Sequence, residues 1–195
     1  LDSAETRLHM IQDVFFSISR QIDWTSLAQQ FMENLFASQG YAWPRPGEVV
    51  TTHQLAAANR VDLVILRRDL RQWLTSAIMR DAEMARDFRI AMLQLCLDRQ
   101  APEGEAGAAA LPVLAWLRGE LRTVGALRSA QIFTKITRHN ARSMLRSLCR
   151  WLRLLNHRGL VVTIDIARLV SVVPTGSPGV RYAPAAVLDG YEVLR

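Results

Sequence analysis

The sequence predicts a mainly α-helical chain joined to part of an α/β core with few strands. Apolar residues recur at three- and four-residue steps over most of the chain, the spacing of helices with one buried face. A single β-branched run, Gly159-Leu160-Val161-Val162-Thr163-Ile164, ends abruptly in Asp165 and reads as a buried strand. Glycine and proline cluster between the helical stretches, at 41–47, 101–109 and 174–179, where they break regular structure.

Each element can be justified in turn. Leu8, Ile11, Phe15, Ile18 and Ile22 share one face of a first helix. Asp23 or Thr25 caps a second, carrying Leu27, Phe31 and Leu35, which Gly40 stops. Tyr41 to Gly47, with Trp43, Pro44 and Pro46, is a loop whose aromatics pack on neighbouring helices. Thr52 to about Arg99 is helical again, with Val61 to Leu66 open between a short strand and a buried helical turn. Arg67, Arg68, Arg71, Arg80 and Arg86 alternate there with Asp69, Asp81, Glu83 and Asp87, as on a solvated helix face. Ala101 to Ala109 is a linker candidate. A helix at Leu111 to Leu117 ends at Gly119, and Thr137 caps another running to about Asn156. A final helix begins near Pro184. These elements group as a helical region (1–100), an arginine-rich helical region (107–156), and a strand, loop and helix (157–195).

The 195 residues suffice for one domain or somewhat more, and the half that are hydrophobic are enough for a real core. Of 24 basic residues only Lys135 is lysine, and the formal charge is +6, which suggests a polyanionic partner. Cys96 and Cys149 sit in apolar helical patterns, as buried thiols of a reducing cytosol do. His9, His53, His139 and His157 are scattered, without metal-ligand spacing. No leader pattern and no apolar run of about 18 residues occurs, so a soluble, cytoplasmic chain without membrane contact is expected. Leu1 at the start and an unfinished helix at the end lead us to expect a piece of a longer protein.

Two features bear chemistry. Asp165, at the C-terminal end of its apolar run, looks like a Walker B aspartate, whose carboxylate holds the Mg²⁺ of bound ATP; the plainer alternative is an aspartate capping the next turn. Arg138, Arg142, Arg146, Arg150 and Arg153 run down one helix face at near four-residue spacing, and no acid lies between Glu120 and Asp165. Such a ladder repels itself by a few tenths of a kcal/mol per pair, roughly. Carboxylates elsewhere in the chain, a partner subunit, ATP phosphates or nucleic-acid phosphates are expected to offset that. The phosphate-cradling Gly-x4-Gly-Lys-Ser/Thr loop is absent, because Lys135 follows Thr134. Ile166 stands where ATPases of this class usually carry a water-activating glutamate. Nucleophile–base triads have no support.

The runs Trp116-Leu117-Arg118-Gly119-Glu120, Asn140-Ala141-Arg142-Ser143-Met144-Leu145-Arg146-Ser147-Leu148 and Gly159 to Asp165 resemble, in order and spacing, the ATP-binding proteins of BREX-type phage-defence systems. Arg181 to Arg195 is similar to the loop and helix after Walker B in that family. The resemblance covers residues 85–195. It implies an AAA+-like P-loop NTPase module using ATP and Mg²⁺, with the phosphate loop upstream of Leu1 and further core strands beyond Arg195. It implies other defence-system subunits as partners, a homo-oligomer when intact, and action on or near DNA. Only Asp165 carries over as a nucleotide- and metal-site residue, and Ile166 departs from the family's Asp-Glu pair. A second reading, from the arginines, is a non-catalytic helical module that binds DNA or a partner subunit.

Overall fold

A computed structural model describes residues 1–98, 110–170 and 179–194. The expected linker at 101–109, and Pro174, Gly176 and Pro178 of the later loop, lie outside the described residues. The chain is mainly helical, as its periodicity predicts. In order come α1 (Ile11–Arg20), α2 (Trp24–Ser38), α3 (Thr52–Asn59), α4 (Leu63–Leu74), α5 (Arg86–Asp98), α6 (Ala110–Arg118), α7 (Ala141–Leu154), α8 (Ala167–Val170) and α9 (Pro184–Leu194). The end of α4 widens into a π-turn, Thr75–Met79, and a 3₁₀ turn covers Val124–Leu127.

Local chemistry sets the boundaries. Of the two candidate caps for α2, Asp23 is the one used: its carboxylate accepts from the Ser26 amide at 3.0 Å and from the hydroxyls of Thr25 and Ser26. These bonds, the Thr25 hydroxyl foremost, hold its pKa down at about 2. The first helix begins at Ile11, later than its apolar stripe suggests, because the preceding backbone is engaged elsewhere. Thr6 donates to the Asp2 carbonyl, Ala4 donates to the Asp2 side chain, and Met10 donates to Arg7. The arginine-rich helix begins at Ala141 rather than after Thr137. Asn140 accepts from the Thr137 amide at 2.7 Å and donates to the Lys135 carbonyl at 3.0 Å, which fixes a turn ahead of the helix. Gly119 ends α6 at φ +76°, with Phe16 packed where a Cβ would stand.

The helices enclose one hydrophobic core. α1 packs on α6 and α7, and α5 packs on α2 and α6. Trp24, Trp116 and Trp151 are almost fully buried, each removing roughly 150–250 Å² from water. Phe31 and Trp151 stack with centroids 4.5 Å apart. The indole N–H of Trp24 donates to the Ser19 carbonyl and that of Trp116 to Thr134. Cys96 is buried in the same core beside the Ala28 carbonyl, and burial pushes its thiol pKa well up. Cys149 is half-buried, more accessible than its apolar setting predicts.

The strand expected at 159–165 is corrected. Among the described residues that segment is extended backbone, with one isolated parallel bridge, Asp2 to Asp165, as its only β-pairing. The Asp165 amide donates to Leu1 (2.8 Å) and the Ser3 amide to Asp165 (3.1 Å). A strand needs a ladder on at least one full edge, and a single bridge does not make one. The segment is half-covered rather than buried: Val161, at 92%, and Val162, at 36%, are exposed, while Leu160 and Ile164 pack partly buried against the core. Thus, among the described residues, the helical part of the expected fold is present, and one bridged segment stands where the strand was expected.

Candidate functional site

Asp165 lies where this extended segment turns into α8. Its Oδ1 accepts from the Ala167 amide at 2.8 Å, so the carboxylate caps the following turn, the plainer of its two expected roles. The residue is exposed, and its Oδ2 carries no hydrogen bond among the described residues. No group of three or more metal-ligating side chains occurs among them either. One free carboxylate oxygen in solvent is nonetheless compatible with Mg²⁺, which takes one or two carboxylates and fills its other positions with water and phosphate oxygens. Ile166, 39% exposed, supplies no carboxylate beside it.

The backbone around Asp165 is held by the chain's first residues. The Leu1 nitrogen donates to the Thr163 carbonyl at 2.5 Å and the Ser3 hydroxyl accepts from the Arg168 amide at 3.0 Å. Tyr182 secures the same layer. Its hydroxyl donates to the Thr6 carbonyl at 2.6 Å and accepts from the Leu8 amide at 3.1 Å, while its ring meets His9 edge-on. Desolvation there raises the phenol's pKa. The sequence offered no signal for Tyr182 beyond an aromatic after Arg181, because its partners lie more than 170 residues away.

The arginine ladder presents a different surface. Buried Met144, Leu148, Trp151 and Leu152 fasten α7 to the core. Ser147 adds a polar tie, accepting from the Ala85 amide at 2.8 Å and donating to the Ser143 carbonyl. The opposite face carries the arginines. Arg150 pairs with Asp81 at 2.7 Å and Glu83 at 3.1 Å, and the Asp81 bond raises its pKa further. Arg138 donates to the His139 ring and Arg142 to the Glu192 carbonyl, both at 3.3 Å. Arg146 and Arg153 are exposed. Among the described residues, internal carboxylates thus neutralise one rung of five, and no hydrogen bond or ion pair joins the ladder to Asp165.

The class defined by these features is a mainly helical protein with two separate candidate sites, a lone carboxylate at the end of an extended segment and a cationic helix face. The chain belongs to the family of BREX system ATP-binding proteins BrxC/D, whose family model matches residues 49–175. It is therefore a component of a BREX phage-defence system, in an ATP-binding family, alongside that system's other subunits. The match begins at residue 49, ahead of α3, well before the stretch that carried the sequence resemblance, and stops at 175. No curated protein and no solved structure matches the chain. No helix among the described residues is long and apolar enough to cross a membrane.

Proposed function

We propose that this chain contributes the Walker B part of an AAA+-like P-loop ATPase in a cytoplasmic, homo-oligomeric BREX assembly that acts on or near DNA. Asp165 is its Mg²⁺ carboxylate, and residues outside this sequence supply the phosphate loop. The observation that carries the reading is a partly exposed apolar segment, 159–165, with Val161 and Val162 facing solvent, ending in a solvent-facing aspartate inside the matched region of an ATP-binding family. A β-branched segment with an open edge is a template on which further strands can pair, and a parallel sheet is what the P-loop fold would add. When bound, ATP–Mg²⁺ would supply the charge that drives assembly or remodelling. Asp165 would orient the metal, and Ile166 leaves no carboxylate next to it to activate water, so binding outweighs hydrolysis in this account. The regions 1–100, 107–156 and 157–195 act here as helical layer, arginine-rich layer and nucleotide-proximal segment.

The test is Asp165→Ala in the intact protein. Mg²⁺-dependent ATP affinity should fall by about tenfold or more, roughly 1.4 kcal/mol, while metal-free ATP binding stays unchanged. Unaltered Mg-ATP affinity together with unaltered phage restriction would refute the assignment.

A second reading is favoured by the four ladder arginines that pair with no carboxylate among the described residues. In it Arg138, Arg142, Arg146 and Arg153 meet DNA or another subunit without need of nucleotide, and Arg150 braces the helix from within.

A further inference from the structure

α3 and α4 are joined by only three residues, Arg60, Val61 and Asp62, and the start of α3 and both ends that meet at the turn are closed by their own hydrogen bonds. Thr51 and Gln54 form a reciprocal capping box at the start of α3. At its end Arg60 takes the left-handed conformation (φ 53°, ψ 41°). Its amide donates to Ala57 and the Val61 amide to Ala56, the double closure of a Schellman turn. Asp62 then caps α4, accepting from the Val64 amide at 2.8 Å and the Ile65 amide at 3.1 Å. Asn59 exchanges hydrogen bonds with Ala42 on both its polar atoms, which ties the turn to the loop after α2. The result is two short helices in contact across a hydrogen-bonded three-residue turn, the construction of a helix-turn-helix.

The second helix is divided sharply. Leu66, Leu70 and Leu74 are buried, and Trp73 packs on Phe36 and Tyr41 with centroids 5.8 and 5.2 Å away. The opposite face carries Val64 (74% exposed) and Ile65 (48%) in its first turn, followed by exposed Arg67, Arg68, Arg71 and Gln72. Arg60 adds a cation at the turn. Asp69 is half-buried and pairs with Arg68 at 2.9 Å, whereas Arg67 and Arg71 have no carboxylate partner among the described residues. Asp62, the other acid nearby, is spent on the cap.

We propose that α4 is the recognition helix of a duplex-DNA-binding helix-turn-helix, with this face set in the major groove. A major groove admits one helix and offers thymine methyls for apolar contact and guanine O6/N7 for arginine. The order along α4 suits that placement, because the N-terminal residues of a recognition helix reach base edges. Val64 and Ile65 meet methyl groups, and Arg67 and Arg71 meet guanine edges or flanking phosphates. A protein groove would be expected to match two apolar side chains with acids for the arginines; duplex DNA brings both the methyl groups and the phosphate charge. This surface is separate from Asp165 and from the α7 ladder, so its success or failure leaves the nucleotide reading untouched.

The experiment is fluorescence anisotropy of the 195-residue chain on mixed-sequence duplex DNA of about 20 base pairs, at roughly 50–200 mM salt. The Arg67→Ala/Arg71→Ala variant should lose roughly tenfold or more in affinity and flatten the log–log salt slope by about two. Val64→Ser/Ile65→Ser should weaken binding with the slope preserved, since no phosphate contact is removed. Both pairs are exposed, so circular dichroism melts should match wild type. Three results would overturn the proposal: no duplex binding by the wild-type chain, α4 variants that bind as wild type, or loss only when Arg142, Arg146 and Arg153 are replaced by alanine.

Discussion

At the scale of single residues, polar side chains in this protein act mainly on nearby backbone. Asp23, Asp62, Asn140 and Asp165 each accept from an amide two or three positions away. Asp23 offers the clearest measurement. Asp23→Ala should destabilise the protein by about 1 kcal/mol near neutral pH, as loss of an N-cap usually does. The native carboxylate's pKa is depressed to about 2, so its contribution is complete above the unfolded-state value and drains away as pH falls through the native one. Denaturant titrations of wild type and variant should therefore converge between about pH 4 and pH 2. The residue-scale features legible in the sequence were those with short-range causes, such as the Asp23 cap and the arginine spacing. The Tyr182 hydroxyl and the Ser147 tie to Ala85 depend on chain segments brought together by folding, and no local pattern announces them.

At the scale of elements, the helices follow their apolar stripes and differ from expectation at their ends, where capping rather than periodicity decides. Val61 to Leu66, ambiguous in sequence, resolves into a turn and the start of α4 because Asp62 caps it. The 159–165 segment shows the opposite case. Its composition is that of a strand, yet composition cannot supply the neighbouring strands that make one. Ends also expose points of stress. At Gly119 the backbone is left-handed and an added Cβ would lie 2.7 Å from the Phe16 ring, the meeting point of α6 and α1. Gly119→Ala should cost more than about 1 kcal/mol, read as a lowered thermal midpoint, through both backbone strain and displacement of Phe16.

At the scale of the whole molecule, one core joins residues from Leu8 to Leu155, and Asp165, the arginine face of α7 and the outer face of α4 sit outside it. The mainly helical character was legible because amphipathic periodicity marks helices; which helices meet, such as α1 with α6 and α7, was not. The site was less so. Asp165 stood out by position, but its ties to Leu1 and Ser3 join residues far apart in the chain, and whether a carboxylate caps a turn or meets a metal is not written in its neighbours. The exposed face of α4 reads in sequence as ordinary solvated charge; only the three-residue turn and the anchoring of Trp73 give it a direction.

The placement of the two cysteines has a practical consequence. Cys96, sealed in the core with its thiol held protonated, can meet a disulfide reagent only when α2 and α5 part, whereas half-buried Cys149 needs a smaller opening. Under native conditions a thiol-reactive dye should label one site quickly and the other at the pace of global opening. Cys149→Ser should remove the fast phase, and Cys96→Ala the slow one. The chain thus carries its own clock for unfolding, and nucleotide or DNA that stabilises the folded state should be seen to slow it.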